Sequence, residues 1–340
     1  MSVAIESDVS LRALNTFRVE ARAAFFASAR SVEQLQTLLC DPRVRDLPRL
    51  VLGGGSNVLF TRDFDGLVVK IDIAGHARLG DDGARWLVRV GAGESWHETV
   101  GRLADDGLPG LENLALIPGS VGAAPIQNIG AYGLELAERL QSVDVVDPAS
   151  GVPETLDVAA CRFGYRDSVF KQRPPGASIV VGVTLALPRK WTPVVGYADV
   201  GNELRARGVT TPSARDVFDA VVAIRTRKLP DPQQIGNAGS FFKNPVVSRT
   251  QRQELIDRFP SLVSYDIGGG RYKLAAGWLI EACGLKGAVR GRAGVYPRQA
   301  LVLVNLGDAS GAEILALARE VQEAVRTRFG VELEPEPTVV

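Results

Sequence analysis

The sequence predicts an α+β protein divided into two or three domains, and three observations predict it. Strand-type and helix-type patterns alternate between Ala23 and Gly107. A length of 340 residues is enough for two or three domains, each with its own core. Composition shifts after Pro188: Trp191 to Ser213 holds prolines, glycines and few apolar repeats, so it is expected to be a linker or long loop, with a second folding unit starting at Ser213.

In chain order, Asn15-Thr16-Phe17 is a turn-like lead-in to the apolar run Ala23 to Ala27, expected to be a strand. Ser31 with Gln34 predicts a capped helix reaching about Leu39, and Leu50 to Leu52 predicts the next strand, which completes a β-α-β unit. Further strands are expected at Leu67 to Ile71, Leu87 to Val90, Ser142 to Val146 and Ser178 to Leu187. Ser95 with Glu98 caps a helix that ends near Gly107, and His97 lies inside it, read as a solvated or internally satisfied histidine rather than a ligand.

Beyond Ser213, with Asp216 three residues on, a helix carries Val217, Val221 and Ile224 on one stripe. It ends in Arg225-Thr-Arg-Lys228, cations placed where the helix dipole favours them. Tyr272 to Cys283 reads as a short strand and a helix stopped by Gly284, and Ala300 to Leu306 as a buried strand. Ser310 and Glu313 cap the helix to Phe329, with Gly330 as its stop. The tail after Gly330 alternates polar and apolar residues, and on composition alone it reads as solvated.

Charge excludes some partners. Lys+Arg and Asp+Glu balance at 39 each, so nothing in the bulk charge points to nucleic acid or an anionic membrane. Cys40, Cys161 and Cys283 are odd in number and widely spaced, which argues against a disulfide framework and fits a reducing compartment. With His76 and His97 the only histidines, and neither H-E-x-x-H nor C-x-x-C present, no metal site is expected. The start shows no basic segment followed by an apolar one, and the apolar runs are too short to span a bilayer, so a cytoplasmic location is expected.

Four stretches carry the chemistry. Gly53-Gly54-Gly55 follows an apolar run and precedes Ser56 and Asn57; without Cβ atoms the loop can turn several N–H groups towards one point, a nest that suits phosphate. It matches neither the dinucleotide fingerprint nor a Walker loop, and a tight turn between strands is the alternative. Gly110 to Gly133 is rich in small residues and amides: Gly119, Ser120, Gly122, Ala123 and Ala124 allow close approach to a flat ligand, while Gln127, Asn128 and Tyr132 can bond its edges. A packed loop is the alternative. Arg166 stands between Tyr165 and Asp167, where a planar cation can be held stiffly. In Gly236 to Pro245, Ser240 follows a glycine and precedes Phe241, Phe242, Lys243 and Asn244, which places a hydroxyl in a glycine turn walled by aromatics. No histidine is available to activate it as a nucleophile; proton donation demands less.

Together, Asn15-Thr16-Phe17, Leu52 to Asn57, Ile117 to Pro125, Gln127 to Tyr132, Tyr165 to Ser168, Gly236 to Asn244 and Leu333-Glu-Pro-Glu336, in this order, closely resemble the UDP-N-acetylenolpyruvoylglucosamine reductases, the MurB enzymes of bacterial peptidoglycan synthesis. The resemblance runs from about residue 11 to 336 and implies one non-covalently held FAD, NADPH as reductant and a UDP-sugar substrate. The implied fold is an FAD-binding domain of the vanillyl-alcohol-oxidase type in two subdomains, residues 1–70 and 71–213, then an α/β substrate-binding domain over 214–329, with 330–340 returning to the first. Implied cofactor contacts are Gly53, Gly54, Gly55, Ser56, Asn57, Pro118, Gly119, Ser120, Gly122, Ala123, Gln127, Asn128, Gly130 and Ala131. Implied substrate contacts are Tyr132, Tyr165, Tyr197, Lys228, Lys243 and Asn244, with Tyr197 marking the longer form of the family. The surroundings of Tyr197, Gly196 to Val200, depart slightly from that form's pattern.

The resemblance also assigns the chemistry. Flavin N5 delivers a hydride to the enolpyruvyl group, Arg166 stabilises the charge that develops beside the carboxylate, and Ser240 protonates the adjacent carbon. Glu336 meets the carboxylate as a protonated acid or through a water, which reverses the reading of the tail as merely solvated. A monomer is expected. Two rivals stand beside this: a flavin-dependent oxidase of the same fold, and a non-catalytic nucleotide-sugar binding protein.

Overall fold

Ile179–Pro188 is buried at nine of its ten positions and pairs antiparallel along both edges, with Leu140–Val146 on one side and Arg85–Gly91 on the other. A central strand covered on both faces has no need of alternation, which explains its unbroken apolar sequence. The computed structural model describes residues 3–174 and 176–340. Pro153–Asp157 and His76–Asp81 complete this five-stranded sheet at its two edges. Neither edge strand was predicted, because both are largely exposed and carry no apolar alternation.

By contacts the chain divides into two units, each discontinuous in sequence. The first holds residues up to Val9, Arg22–Gly55 and Phe64–Arg227; the second holds Ser10–Ala21, Ser56–Asp63 and Lys228–Val340.

In the first unit, Arg22–Ala29, Phe64–Ile71 and Arg49–Leu52 lie side by side and parallel, with Glu6–Ser10 beyond Arg22–Ala29. The predicted β-α-β unit is present, with Phe64–Ile71 inserted between its two strands. Its helix Val32–Leu39 is started by Ser31, whose hydroxyl accepts the Gln34 N–H at 3.2 Å. Trp96–Asp105 is started in the same way by Ser95. A single apolar cluster joins Leu35 and Leu38 of the first helix, Val100 and Leu103 of the second, Leu67, Val69, Val88 and Val183 of the sheets, and Val217 and Val221. Those last two belong to Ala214–Lys228, the helix at which the sequence reading begins the substrate-binding domain; its residues to Arg227 are counted with the first unit.

The stretch read as a linker, Trp191 to Ser213, contains a helix, Ala198–Ala206, with Val200 and Leu204 buried one turn apart. Gly201 and Asn202 between them dilute the apolar pattern, and no Ser, Thr, Asp or Asn stands at its start, where Tyr197 is the cap.

In the second unit, Gly236–Ser240, Val302–Asn305, Ala293–Val295 and Val289–Arg290 form one antiparallel sheet, and Val246–Ser248, Arg271–Leu274 and Ser264–Asp266 another. Gly311–Phe329 is closed at its start by the reciprocal Ser310–Glu313 box and at its end by Gly330 at φ +66°, as predicted. Ile314, Leu317, Val321 and Val325 make its buried stripe. The helix Arg249–Arg258 was missed, since only Leu255 of its ten residues is buried and amphipathic periodicity is nearly absent.

Asn15-Thr16-Phe17 belongs to this second core. The Asn15 side chain spans its loop by donating to the carbonyls of Leu11 and Val19, and Phe17 is fully buried beside Phe241 at 6.1 Å.

Candidate active site

The glycine loop earns its composition by close approach. A Cβ on Gly53 would stand 2.4 Å from Ser120 Oγ, and one on Gly54 would stand 2.8 Å from Gly119 Cα; Gly55 has φ +63°. Gly122 is held against Ala92, where a Cβ would meet the alanine methyl at 2.5 Å. The Gly119 to Gly122 segment is stitched to the start of the helix Trp96–Asp105: the Trp96 N–H donates to Gly119 O at 3.0 Å, Val121 N–H to Glu94 O at 2.8 Å and Gly122 N–H to Ala92 O at 2.8 Å. Two glycine-bearing segments, one from each predicted stretch, therefore meet closely, Gly54 against the Gly119 backbone and Gly53 against the Ser120 hydroxyl. Such a cradle fits a phosphate-containing cofactor approached through main-chain groups.

Val121–Gln127 is a tight 3-10 turn containing Ala123, Pro125 and Gln127, and it ends at Asn128 with φ +43°. Asn128 is buried with its side chain engaged in the fold: Nδ2 donates to Glu135 Oε2 at 2.9 Å and Gly164 O at 3.1 Å, and Oδ1 accepts the Ala137 N–H. Gly130–Ala131 then pairs with Leu134–Glu135.

Arg166 rides on a turn closed by the Gly164–Asp167 bridge, with φ +52°. Its guanidinium donates to Gly130 O at 2.7 Å, and a Cβ on Gly130 would come within 3.3 Å of Nη1. Ser168, fully buried, donates to Ile126 O at 2.6 Å and ties this turn to the 3-10 segment. Tyr165 lies 5.6 Å below the same guanidinium. The stiff cation expected from sequence is thus held through the carbonyls of Gly130, Asn128 and Ile126 and through Ser168.

Tyr132, at φ +49°, meets Tyr197 edge to face at 5.3 Å. Asn113, which the sequence reading passed over, donates to both Tyr132 O and Val194 O at 2.9 and 2.8 Å, so one buried amide ties the Tyr132 turn to the segment that leads to Tyr197. Glu112 beside it accepts the Gly110 N–H at 2.6 Å and the Trp191 indole N–H at 3.3 Å. Burial pushes its carboxyl above the usual range, against the pull of those donors and of Arg139.

Arg225 was also missed. Its Nε donates to Leu116 O at 3.2 Å, and it is hydrogen-bonded to Tyr132. Burial lowers its affinity for the proton, Tyr132 opposes this, and the charge of Arg166 adds to it. A signal was present: Arg225 continues the Val217, Val221 spacing, so a cation stands on the buried stripe.

In the second unit, Ser240 does not sit in the expected glycine turn. It ends the strand Gly236–Ser240, opposite Val302, after a bulge at Gly239 with φ +69°. The bulge is shaped by buried Asn237, whose Oδ1 accepts the Gly239 N–H at 2.9 Å and whose Nδ2 donates to Pro230 O and Ile235 O. Phe241 and Phe242 are buried, as expected of the aromatic wall.

The tail docks on this unit, with Val331, Leu333, Glu336 and Pro337 buried and Glu332 and Glu334 exposed. Lys243 N–H donates to Glu334 O at 2.9 Å, Phe242 bridges Pro335, and Glu336 N–H donates to Phe241 O at 2.8 Å, so Glu336 is held beside the residue that follows Ser240. Asn57 Nδ2 donates to Glu336 O at 3.2 Å, and Thr338–Val339 pairs in parallel with Val58–Leu59. Glu336 itself is only 8% exposed. Lys243 Nζ bonds Glu334 at 2.7 Å, and Asn244 Oδ1 accepts the Ala276 N–H at the start of Ala276–Ala282. Lys228 ends the helix Ala214–Lys228.

Among the described residues no group of histidine, cysteine and carboxylate side chains could hold a metal ion, and no helix is long and apolar enough to cross a membrane.

Comparison with known proteins brings these loci under one description. The family model described as UDP-N-acetylenolpyruvoylglucosamine reductase, C-terminal domain, matches residues 231–340, and an FAD binding domain matches residues 23–157. The curated UDP-N-acetylenolpyruvoylglucosamine reductase of Burkholderia multivorans is 58% identical over 332 residues, 97% of this chain and 95% of the relative. That of Ralstonia nicotianae is 56% identical over 330 residues, 96% of each. The chain belongs to the UDP-N-acetylenolpyruvoylglucosamine reductase family. The crystal structure of the reductase from Thermus caldophilus aligns with a TM-score of 0.70 at 27% identity, covering 99% of both chains. The reductase reading, with FAD as cofactor, is favoured over the flavin-dependent oxidase and the non-catalytic binder, and the FAD-binding and C-terminal domains of this reductase family account for the α+β architecture.

Proposed function

We propose that the chain reduces the enolpyruvyl group of UDP-N-acetyl-3-O-(1-carboxyvinyl)-glucosamine to the lactyl ether of UDP-N-acetylmuramate, with NADPH as the electron source. The observation that carries the assignment of roles is the hydrogen bond from Glu336 N–H to Phe241 O, which holds the largely buried Glu336 beside the residue that follows Ser240. The chemistry that FAD supplies when bound is two-electron transfer between NADPH and the enol ether. Gly53 to Gly55 with Asn57, and Pro118 to Ala131, are the segments proposed to hold it; their glycine-only approach supports this.

Addition to the terminal carbon leaves negative charge on the carbon beside the carboxylate. Arg166 supplies a permanent, stiffly held cation for that charge. Ser240 donates the proton that completes the reduction, and Glu336 binds the carboxylate edge. Lys228, Lys243, Asn244, Tyr132, Tyr165 and Tyr197 are proposed to bind the UDP-sugar, the lysines as compact charges for its diphosphate. The edge-to-face contact of Tyr132 with Tyr197 supports a role for Tyr197 near that ligand. A cytoplasmic monomer is the proposed working form, and unpaired Cys40, Cys161 and Cys283 suit a reducing compartment.

The test is anaerobic. NADPH should bleach the visible flavin band, and the enolpyruvyl UDP-sugar should restore it without oxygen. Restoration by oxygen alone would return the oxidase to favour, and a colourless protein that takes up no FAD would remove the flavoenzyme reading.

A further inference from the structure

Leu116 stands at φ +56°, a backbone conformation that residues with a Cβ avoid, and it is gripped at both ends. Its N–H donates to His97 Nδ1 at 3.1 Å, and its carbonyl accepts from Arg225 Nε at 3.2 Å. His97 lies in the first turn of Trp96–Asp105; Arg225 lies in the last turn of Ala214–Lys228. The two helices meet here, with the His97 ring stacked on Phe218 at 5.4 Å and 7°. Two residues after Leu116 begins Pro118-Gly119-Ser120, the turn against which Gly53 and Gly54 are packed. Its flanks are held by the same helix start, since the Trp96 indole donates to Leu114 O at 2.9 Å and the Trp96 N–H donates to Gly119 O.

We propose that His97 and Arg225 are positioning residues for the cofactor-binding turn Pro118–Ser120, holding Leu116 in its left-handed conformation from both sides. The proposal rests on reading that turn as part of the FAD site. Arg225 is also hydrogen-bonded to Tyr132, so the grip connects the cofactor turn to a candidate substrate contact.

The grip has a protonation requirement. To accept the Leu116 N–H, His97 must be neutral with its proton on Nε2. Burial holds its proton affinity below the ordinary histidine value; Glu98 opposes this, and the charges of Arg225 and Arg215 reinforce it. Protonation would set a donor against a donor and a second cation near Arg225. Because the favourable form is the neutral one, its contribution is complete above about pH 6.5 and is lost as pH falls through the lowered value.

The experiment titrates deflavinated protein with FAD, read by flavin fluorescence, with circular dichroism confirming the fold of each variant. His97→Phe keeps a ring on Phe218 but has no acceptor, and should weaken FAD binding roughly 5- to 20-fold. His97→Asn keeps an acceptor that takes no proton. It should bind within about twofold of the parent near pH 8 and lack part of the parent's weakening in acid, His76 being common to both. Arg225→Met should weaken binding, and the double variant His97→Phe/Arg225→Met should be no worse than the weaker single one, because releasing either end frees Leu116. Parent-like affinity in His97→Phe, multiplicative losses in the double variant, or an unchanged acid response in His97→Asn would overturn the proposal. Should His97→Phe fail to fold, the His97→Asn pH comparison decides alone. Absence of FAD binding by the parent would overturn the functional reading itself, and the inference with it.

Discussion

The Arg166 guanidinium donates to the carbonyl of Gly130 at 2.7 Å, and the missing side chain of that glycine is what lets it come so close. One edge of a planar cation is thereby committed to the backbone, and the direction of the rest is set. The neighbouring left-handed positions Asn128 and Tyr132, at φ +43° and +49°, show that the whole segment is bent around this contact.

Arg166→Lys is therefore not a conservative change. An ammonium cannot both bond Gly130 O and present a planar, two-point contact to a carboxylate. Steady-state kinetics should show a fall in kcat of about tenfold or more, since charge-assisted contacts contribute ~1.5–3 kcal/mol. Turnover close to the parent's would remove Arg166 from the mechanism.

Ser240→Ala separates the two half-reactions. Flavin reduction by NADPH should stay nearly intact, while oxidation of the reduced protein by the enolpyruvyl substrate should slow by the ~10²–10⁴ typical of a lost general acid. Stopped-flow absorbance measures both, and equal losses in the two would refute the role given to Ser240.

Gly54→Ala tests the cradle. Its Cβ would collide with Gly119 Cα at 2.8 Å, backbone against backbone, with no flexible side chain to yield. Overpacking of this kind costs ~1–3 kcal/mol, so flavin content after purification and FAD affinity should both fall, the latter by about tenfold. A fully flavinated variant with the parent's affinity would show that the two loops are not jointly required.

Glu112 makes stability depend on pH. Burial raises its carboxyl above the ordinary value of 4.5, so the folded chain binds more protons than the unfolded one in that window. Its contribution is greatest in acid and declines as pH rises through the raised value. Glu112→Gln has no such titration and should flatten the decline in apparent melting temperature as pH rises above the ordinary carboxyl value of 4.5. An unchanged slope would mean that other groups set it.

The candidate site was legible wherever local chemistry demanded a particular residue. Three glycines in a row, a capped helix start and a Gly-Ser-Phe-Phe run each mark a backbone constraint that a reader of the chain can see. Asn237 and Asn113 were not legible, because their roles lie in bonds to carbonyls that are distant in sequence or that only the fold brings within reach, and Arg225 left no signal beyond its place on a buried stripe. The helix Ala198–Ala206 was hidden for another reason: two buried side chains suffice when a neighbouring core receives them, and that is too few to make a pattern.

By itself the sequence determined the capped helices, many of the buried strands, the glycine loops and the candidate cation and hydroxyl, because short-range sterics and apolar periodicity act between near neighbours. Tertiary structure decided that the tail is docked with Glu336 inside while Glu332 and Glu334 stay exposed: alternation in Val331 to Glu336 suits a solvated segment and a docked one equally. Main-chain groups of Phe241 and Lys243, together with the Asn57 amide, supply partners for the Glu334 to Glu336 backbone that hold Glu336 inside.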